Sequence, residues 1–474
     1  MPPPMQSENL ESPPTPPVMP DDNTGSIVGW AIAIIANLLF ILIALAGYFG
    51  WNPDPEAKKE APAVSYTQEN VALRQTLIGL AVQDSLSGQA DGSGKRLAEL
   101  SKSEFGKFLS NLEPDAAKHE EGAKMVLVSE KLAGRELNKT AITTLSKSKF
   151  DESKAVLAAV QGEKPKDGVL EQYSRNMAER IAYAMSKSEE GKTLRFSQMV
   201  TDQEKYKSAG MILVFIVIAG SSLIVWLTVL LNRAFNDNVT FDFQESLPRM
   251  HAGVLAGRFG VTLGAFFVGM SIVGGGFYAL GGDQVVAMPI GQSVGIPLIV
   301  LVCMIPLKDK IKSIRDIWGR VKPTWKDVGT GLAGYLAAAP IFAILAVVMN
   351  LLPLNLPEPS HAAAEEIMNH PAPFQLIALF ISAVVFAPLI EEPIFRGMLF
   401  PALKKATGKP FLAMVISGFA FAAIHPQGPL LWPSLAVIGM AASYVAYRSG
   451  SLWPAIILHA INNFVTLSLG LMMS

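Results

Sequence analysis

The sequence predicts an all-α, polytopic transmembrane helix bundle of about nine spans, with a mostly helical soluble insert. Three observations lead there. Half of the 474 residues are hydrophobic, and the mean hydropathy is +0.34. Several apolar runs approach the ~20 residues that a helix needs to cross hydrocarbon. One long stretch, 51–208, breaks the pattern: it is charged, contains no spanning run, and repeats apolar residues at helical spacing. The net charge of −1 offers no electrostatic footprint for nucleic acid. Cys303 is the single cysteine, which excludes an intrachain disulfide and any thiolate-built metal site.

Residues 1–25 read as a disordered, proline-rich tail, with Pro13-Pro14-Thr15-Pro16-Pro17 at its centre. Residues 26–50 are uncharged and long enough to span. Ala44-Leu45-Ala46-Gly47 resembles a signal-peptidase site, yet the tail before it lacks the basic residues of a signal peptide, so the run reads as an uncleaved anchor. In the insert, Leu97, Leu100 and Phe105, then Val126, Leu127 and Leu132, then Tyr173, Met177, Ile181 and Met185 mark amphipathic helices. Its lysines are scattered among acids, the pattern of a solvated surface, and any partner it binds is unknown. Residues 209–231 span again, and 232–253 form a polar connector. Apolar runs follow near 254–280, 285–305, 327–352, 372–390, 410–425, 429–447 and 452–472, which makes 250–474 the membrane core. No internal repeat supports an inverted-repeat transporter.

Lys and Arg in short loops set the orientation. Lys308, Lys310, Lys312, Arg315, Arg320, Lys322 and Lys326 place 306–326 in the cytoplasm. Counting forward puts 353–371, which has no Lys or Arg, outside, and returns Lys404, Lys405, Lys409 and Arg448 inside. Counting backward puts 51–208 outside and the tail inside, in conflict with a tail that has no basic residue; a cleaved signal would remove the conflict.

Three short patterns in the C-terminal half carry chemistry. The first is Glu391-Glu392-x-x-x-Arg396, at the end of an apolar run. A charge at the bilayer centre costs roughly 2.5–3.5 kcal/mol by insertion scales, so such groups need a reason to be there. Glu392 and Arg396 are one helical turn apart and can pair, while Glu391 points about 100° away. One carboxylate is then neutralised and its neighbour stays available for a proton. The structural alternative is a surface cluster at a helix end. The second pattern is Phe421-x-x-x-His425, where Ser417 and Gly418 permit close helix approach and Pro426 ends the helix. Alone, His425 reads as an interfacial cap. The third is His459-x-x-x-Asn463, on one helix face, where Asn463 can orient the imidazole or donate beside it; the alternative is a bundle-holding hydrogen bond. At 1.5 Å per residue, Glu391, His425 and His459 lie ~20, ~23 and ~10 Å from their cytoplasmic helix ends, which allows them to converge.

Together these patterns resemble the CPBP family, which includes type II CAAX prenyl endopeptidases, bacteriocin-processing enzymes and the Abi group. The resemblance extends over roughly 250–474, including the extension Phe395-Arg396-Gly397, and leaves the insert and the first two spans uncovered. It implies an intramembrane endopeptidase of the glutamate-dependent kind, a multi-pass protein of the plasma (inner) membrane acting on a membrane-associated protein or peptide. Glu391 and His425 would activate water, His459 and Asn463 would stabilise the oxyanion, and Glu392, Arg396 and Phe421 would support the geometry. The chemistry needs a base matched to the working pH and fixed donors at the developing oxyanion. No cofactor is firmly implied. Zinc is the alternative, held by Glu391, His425 and His459 with one position open, but the helix-borne His-Glu-x-x-His pattern is absent. Two other functions compete: a non-catalytic immunity or scaffold protein acting through the insert, and a proton-coupled transporter using the buried Glu and His groups.

Overall fold

The computed structural model describes residues 23–48, 66–86, 93–188, 194–235, 251–304, 315–351, 367, 371–425 and 427–473. Residues 1–22 of the proline-rich tail, most of the 232–253 connector, Lys308, Lys310, Lys312, almost all of 353–371, and Pro426 lie outside them, while Asn23, Thr24 and Gly25, read as tail, belong to the first helix. The described residues are mainly helical, with one isolated β-bridge and no strand.

Helix α1 (Asn23–Tyr48) is followed by a helical insert: α2 (Thr67–Leu86), α3 (Ser93–Asn111), α4 (Glu120–Ala133), α5 (Lys139–Ser146), α6 (Asp151–Gln161) and α7 (Met177–Lys187). The insert has its own core, in which Leu97, Phe105, Val126, Leu127, Met177 and Ile181 are buried. Tyr173 departs from the sequence reading and is exposed. The Asn176 side chain accepts from the backbone N–H groups of Ala178 and Glu179 and starts α7 after Tyr173, outranking the apolar spacing. The insert is joined to the membrane region by α8 (Asp202–Phe235). Glu204 in its first turn is held by Arg74 at 3.0 Å and Arg180 at 2.9 Å and accepts from Thr201 N–H at 2.8 Å.

The membrane region continues with α9 (Ala252–Ala279), α10 (Gln284–Gln292), α11 (Gly295–Met304), the short α12 (Arg315–Trp318), α13 (Trp325–Leu351), α14 (Pro373–Thr407), α15 (Pro410–Ala423), α16 (Trp432–Ser449) and α17 (Trp453–Met473). Among the described residues seven helices are long and apolar enough to cross a membrane, so the count of about nine is approximate. The two sequence-assigned runs outside this count are α15 and α16. Fourteen residues give α15 only ~21 Å, short of a ~30 Å core, and Ser434, Ser443, Arg448 and Ser449 dilute the apolar character of α16. These two helices pack tightly as a hairpin. A Cβ on Gly418 would lie 2.7 Å from the Ala436 carbonyl oxygen, so only glycine permits this approach.

Helix α1 packs on α9 by the same device: a Cβ on Gly29 would overlap the Gly253 carbonyl, and one on Gly260 would lie 2.8 Å from the Ile32 oxygen. Farther along, Phe40 stacks on Phe267 with centroids 4.1 Å apart. At one end of the bundle the loops around 318–321 and 450–453 are tied together. Leu452 N–H donates to the Trp318 oxygen at 3.1 Å, and Trp453 Nε1 to the Val321 oxygen at 2.7 Å. These are two of the segments that the charge count assigns to the same membrane face. Helix α14 is set between α9, α11, α15, α16 and α17.

Candidate active site

Helix α14 is one continuous rod, but not a regular one. Pro388, Pro393 and Pro401 lie within it. An interior proline lacks an N–H and its ring crowds the carbonyl four residues back. Two π-turned segments, Ile381–Phe386 and Phe395–Leu399, absorb this. Ala387 N–H reaches the Ser382 oxygen and Phe400 N–H the Phe395 oxygen, each five residues back and each just before a proline. Glu391 and Glu392 sit between the two segments.

Glu392 is fully buried. Its Oε1 accepts from Arg396 Nη1 at 3.0 Å and from His459 Nδ1 at 2.8 Å. Arg396 also donates through Nη2 to the Gly439 carbonyl at 3.1 Å and stands over the Phe421 ring, 4.5 Å from its centroid. The i, i+4 pair anticipated from the sequence is therefore present and extended on both sides.

Glu391 is placed differently. Its side chain retains 21% exposure, and its Oε2 lies 3.9 Å from His459 Nε2. Oε2 of Glu391 has no hydrogen-bond partner among the described residues, nor has Oε2 of Glu392. One imidazole thus addresses both carboxylates. A carboxylate only accepts, so Nδ1 of His459 carries the hydrogen given to Glu392, and its Nε2 is turned toward Glu391.

His425 lies just past the end of α15, where its backbone N–H meets the Ala422 oxygen at 3.1 Å. Its Nδ1 is 2.7 Å from the Phe421 oxygen, and because a carbonyl only accepts, Nδ1 is the donor there. The Phe421 ring meets both imidazoles, with centroids 4.6 Å from His425 and 5.6 Å from His459. It also meets Phe395 edge-on at 5.3 Å. Phe421 is thus a shared wall for Arg396 and both histidines. Asn463 Nδ2 donates to the Ala383 carbonyl at 2.7 Å, and its Oδ1 accepts from Asn462 Nδ2 at 3.2 Å.

The alternative zinc set of Glu391, His425 and His459 is not gathered. Among the described residues no three His, Cys, Asp or Glu side chains are close enough to hold an ion. Both imidazoles turn Nδ1 to an acceptor, as metal-ligating histidines do, but that orientation does not by itself assemble a site.

Sequence reasoning missed the Gly439 carbonyl, the Ala383 carbonyl and both π-turns. It also missed Ser382, whose hydroxyl donates to Gln292 Oε1 at 2.8 Å. The three prolines inside an apolar run were the available signal for the π-turns.

Residues 373–465 match the family model of type II CAAX prenyl endopeptidase Rce1-like proteins. The match opens with α14 and closes just after Asn463, so it takes in the glutamate pair, both histidines and the asparagine. It is narrower than the 250–474 covered by the sequence resemblance. A search of curated proteins and a search of solved structures gave no match. The chain carries an Rce1-like domain, of a peptidase family, and with its long apolar helices it is a CAAX-protease-like integral membrane protein.

Proposed function

We propose that this protein is an intramembrane endopeptidase that hydrolyses a peptide bond in a membrane-associated protein or peptide, with Glu391 as general base. One observation carries the reading: a buried carboxylate oxygen with no hydrogen-bond partner, 3.9 Å from an imidazole nitrogen. A water placed ~2.8 Å from both atoms fits in that angle. Glu391 takes a proton from this water, and the hydroxide adds to the scissile carbonyl carbon. The oxyanion is met by His459 and by the Nδ2 hydrogen of Asn463 that Ala383 does not use. The proton returns from Glu391 to the leaving nitrogen as the C–N bond breaks.

To donate to an oxyanion, His459 must be an imidazolium. Two carboxylates, one guanidinium and one imidazolium sum to zero, which is the condition under which buried charges persist. The substrate is membrane-associated, its site lies in the plasma membrane, and the prenylated CAAX class in the family's name is the first to try. The test compares protein N- and C-termini in membranes from cells with wild type and with Glu391→Ala. Substrate termini should vanish in the variant while the protein itself still inserts. Identical termini in both would reject the assignment.

A further inference from the structure

Asn463 has a partner that the chemistry of peptide hydrolysis does not call for: the backbone carbonyl of Ala383, at 2.7 Å. The hydrogen-bond pattern of α14 explains why that carbonyl is available. In a regular α-helix it would accept from Ala387 N–H, four residues on. In this π-turn Ala387 N–H goes to Ser382 instead. The π-type donor for Ala383 would then be residue 388, five residues on, and that residue is Pro388, which has no N–H. A part-buried carbonyl without a donor is costly in a membrane, where water is not at hand to replace it. The Asn463 amide fills the vacancy from α17.

This bond also decides the register of the helix. A π-turn inserts one extra residue, so everything after it is rotated by about 100° relative to an unbroken α-helix. If Ala387 N–H returned to Ala383, the turn would close. Glu391 and Glu392 would then swing off the directions in which they meet the two nitrogens of His459. Asn463 occupies the acceptor that such a return requires. Ser382 is tied to Gln292 in the same segment at 2.8 Å, so the turn is clipped from two neighbouring helices.

We propose that Asn463 is a positioning residue: it supplies the hydrogen bond that Pro388 cannot, and so fixes the π-turned register that aims both glutamates at His459. The importance of that aim for turnover rests on the proposed peptidase site; the two readouts below do not.

The test is a double-mutant cycle on thermal unfolding in lipid bicelles, using the full chain. Asn463→Ala should lower Tm by about 2–6 °C, the range expected for one carbonyl left without its donor. In a Pro388→Ala background the loss should be less than half of that, because a backbone N–H at 388, or at 387, can now serve Ala383. Equal losses in the two backgrounds would overturn the proposal. The second readout is the histidine 15N spectrum, which is tractable with six histidines in the chain. His459, assigned with His459→Gln, should show a protonated Nδ1 in the wild type and a displaced resonance in Asn463→Ala. An unmoved His459 resonance would show that Asn463 does not set the register. If Asn463→Ala is not recovered folded, Asn463→Ser, whose hydroxyl ends short of Ala383, replaces it in both experiments.

Discussion

Glu391 and Glu392 are neighbours in sequence, and neutralising each should have opposite consequences. Consider Glu392→Gln first. The side chain is fully buried and holds Arg396 at 3.0 Å and His459 at 2.8 Å. Removing its charge leaves a buried guanidinium without its counter-ion, and breaking one side of a buried pair costs ~3–5 kcal/mol. Arg396 keeps the Gly439 carbonyl and the face of Phe421, which argues for the lower end, ~3 kcal/mol. Glu391→Gln removes a charge that is part-exposed, unpaired by any hydrogen bond, and 3.9 Å from the nearest imidazole nitrogen. Its cost should stay within ~1 kcal/mol of zero, because the nearby imidazole, unlike the Arg396 guanidinium, can give up its proton when the carboxylate is gone. Activity should move the other way: Glu391→Gln should lose at least ~100-fold in turnover, the least that a general base contributes. The assay is reversible unfolding in bicelles beside cleavage of a substrate identified from the terminal comparison. Replacing both members of the pair, Glu392→Leu with Arg396→Met, should recover much of the Glu392→Gln loss, since an apolar pair carries no uncompensated charge. Equal destabilisation by the two Gln variants would refute the division into one structural and one reactive carboxylate.

Three further outcomes follow from other contacts. Gly439→Ala places a Cβ 2.9 Å from Gly418 Cα and 3.1 Å from Arg396 Nη2. It should cost ~1–3 kcal/mol by overpacking and reduce cleavage, both read on the same preparation, and an unaltered protein would show that the α15–α16 hairpin yields freely. In the insert, burial pushes the Glu120 carboxyl up, but the hydroxyls of Ser148 and Ser153 and the Lys124 ammonium outweigh it and hold it below its ordinary value. A carboxyl depressed on folding contributes stability above its unfolded pKa of about 4.3 and loses it as the pH falls through the folded value. Melting followed from pH 6 to pH 3 should therefore show an acid loss that Glu120→Gln diminishes; an identical slope in the variant would contradict the network. Exhaustive chelation should leave cleavage intact, and activity that falls with bound zinc and returns on its addition would restore the three-ligand alternative.

Much of this was legible from spacing. The Glu392–Arg396 pair follows from i, i+4 neighbours on a helix, and Gly418 was readable as a contact point because small residues are what let membrane helices approach. The insert's core residues follow from helical periodicity. What escaped had a common physical source: it was decided by backbone groups, which every residue carries and no motif names. The Gly439 and Ala383 carbonyls are acceptors because of where neighbouring helices place a guanidinium and an amide. Tyr173 was misplaced because a capping hydrogen bond at Asn176 outranked its apolar spacing. The packing of α1 on α9 was visible only as glycines, at 29, 253, 257 and 260, in segments more than 220 residues apart.

The rotation between the two glutamates has a different consequence beside His459. From helix geometry alone, residues about 100° apart face different neighbours, and one of them should be remote from whatever binds the other. Here both face the same imidazole, because a histidine presents two nitrogens in different directions: Nδ1 at 2.8 Å from Glu392 and Nε2 at 3.9 Å from Glu391. The angle between adjacent helix positions is matched by the angle between two ring nitrogens. That match makes His459 the link between the two carboxylates: the hydrogen bond from Nδ1 to Glu392 fixes the ring so that Nε2 faces Glu391. It also makes the site sensitive to helix register, since an error of one residue in α14 would move either glutamate by a full 100° step and leave the imidazole with one partner. A helix that must hold such a register through three prolines needs its turns fixed from outside, and the side chains that reach its first π-turned segment, Asn463 and Gln292, come from two other helices, α17 and α10.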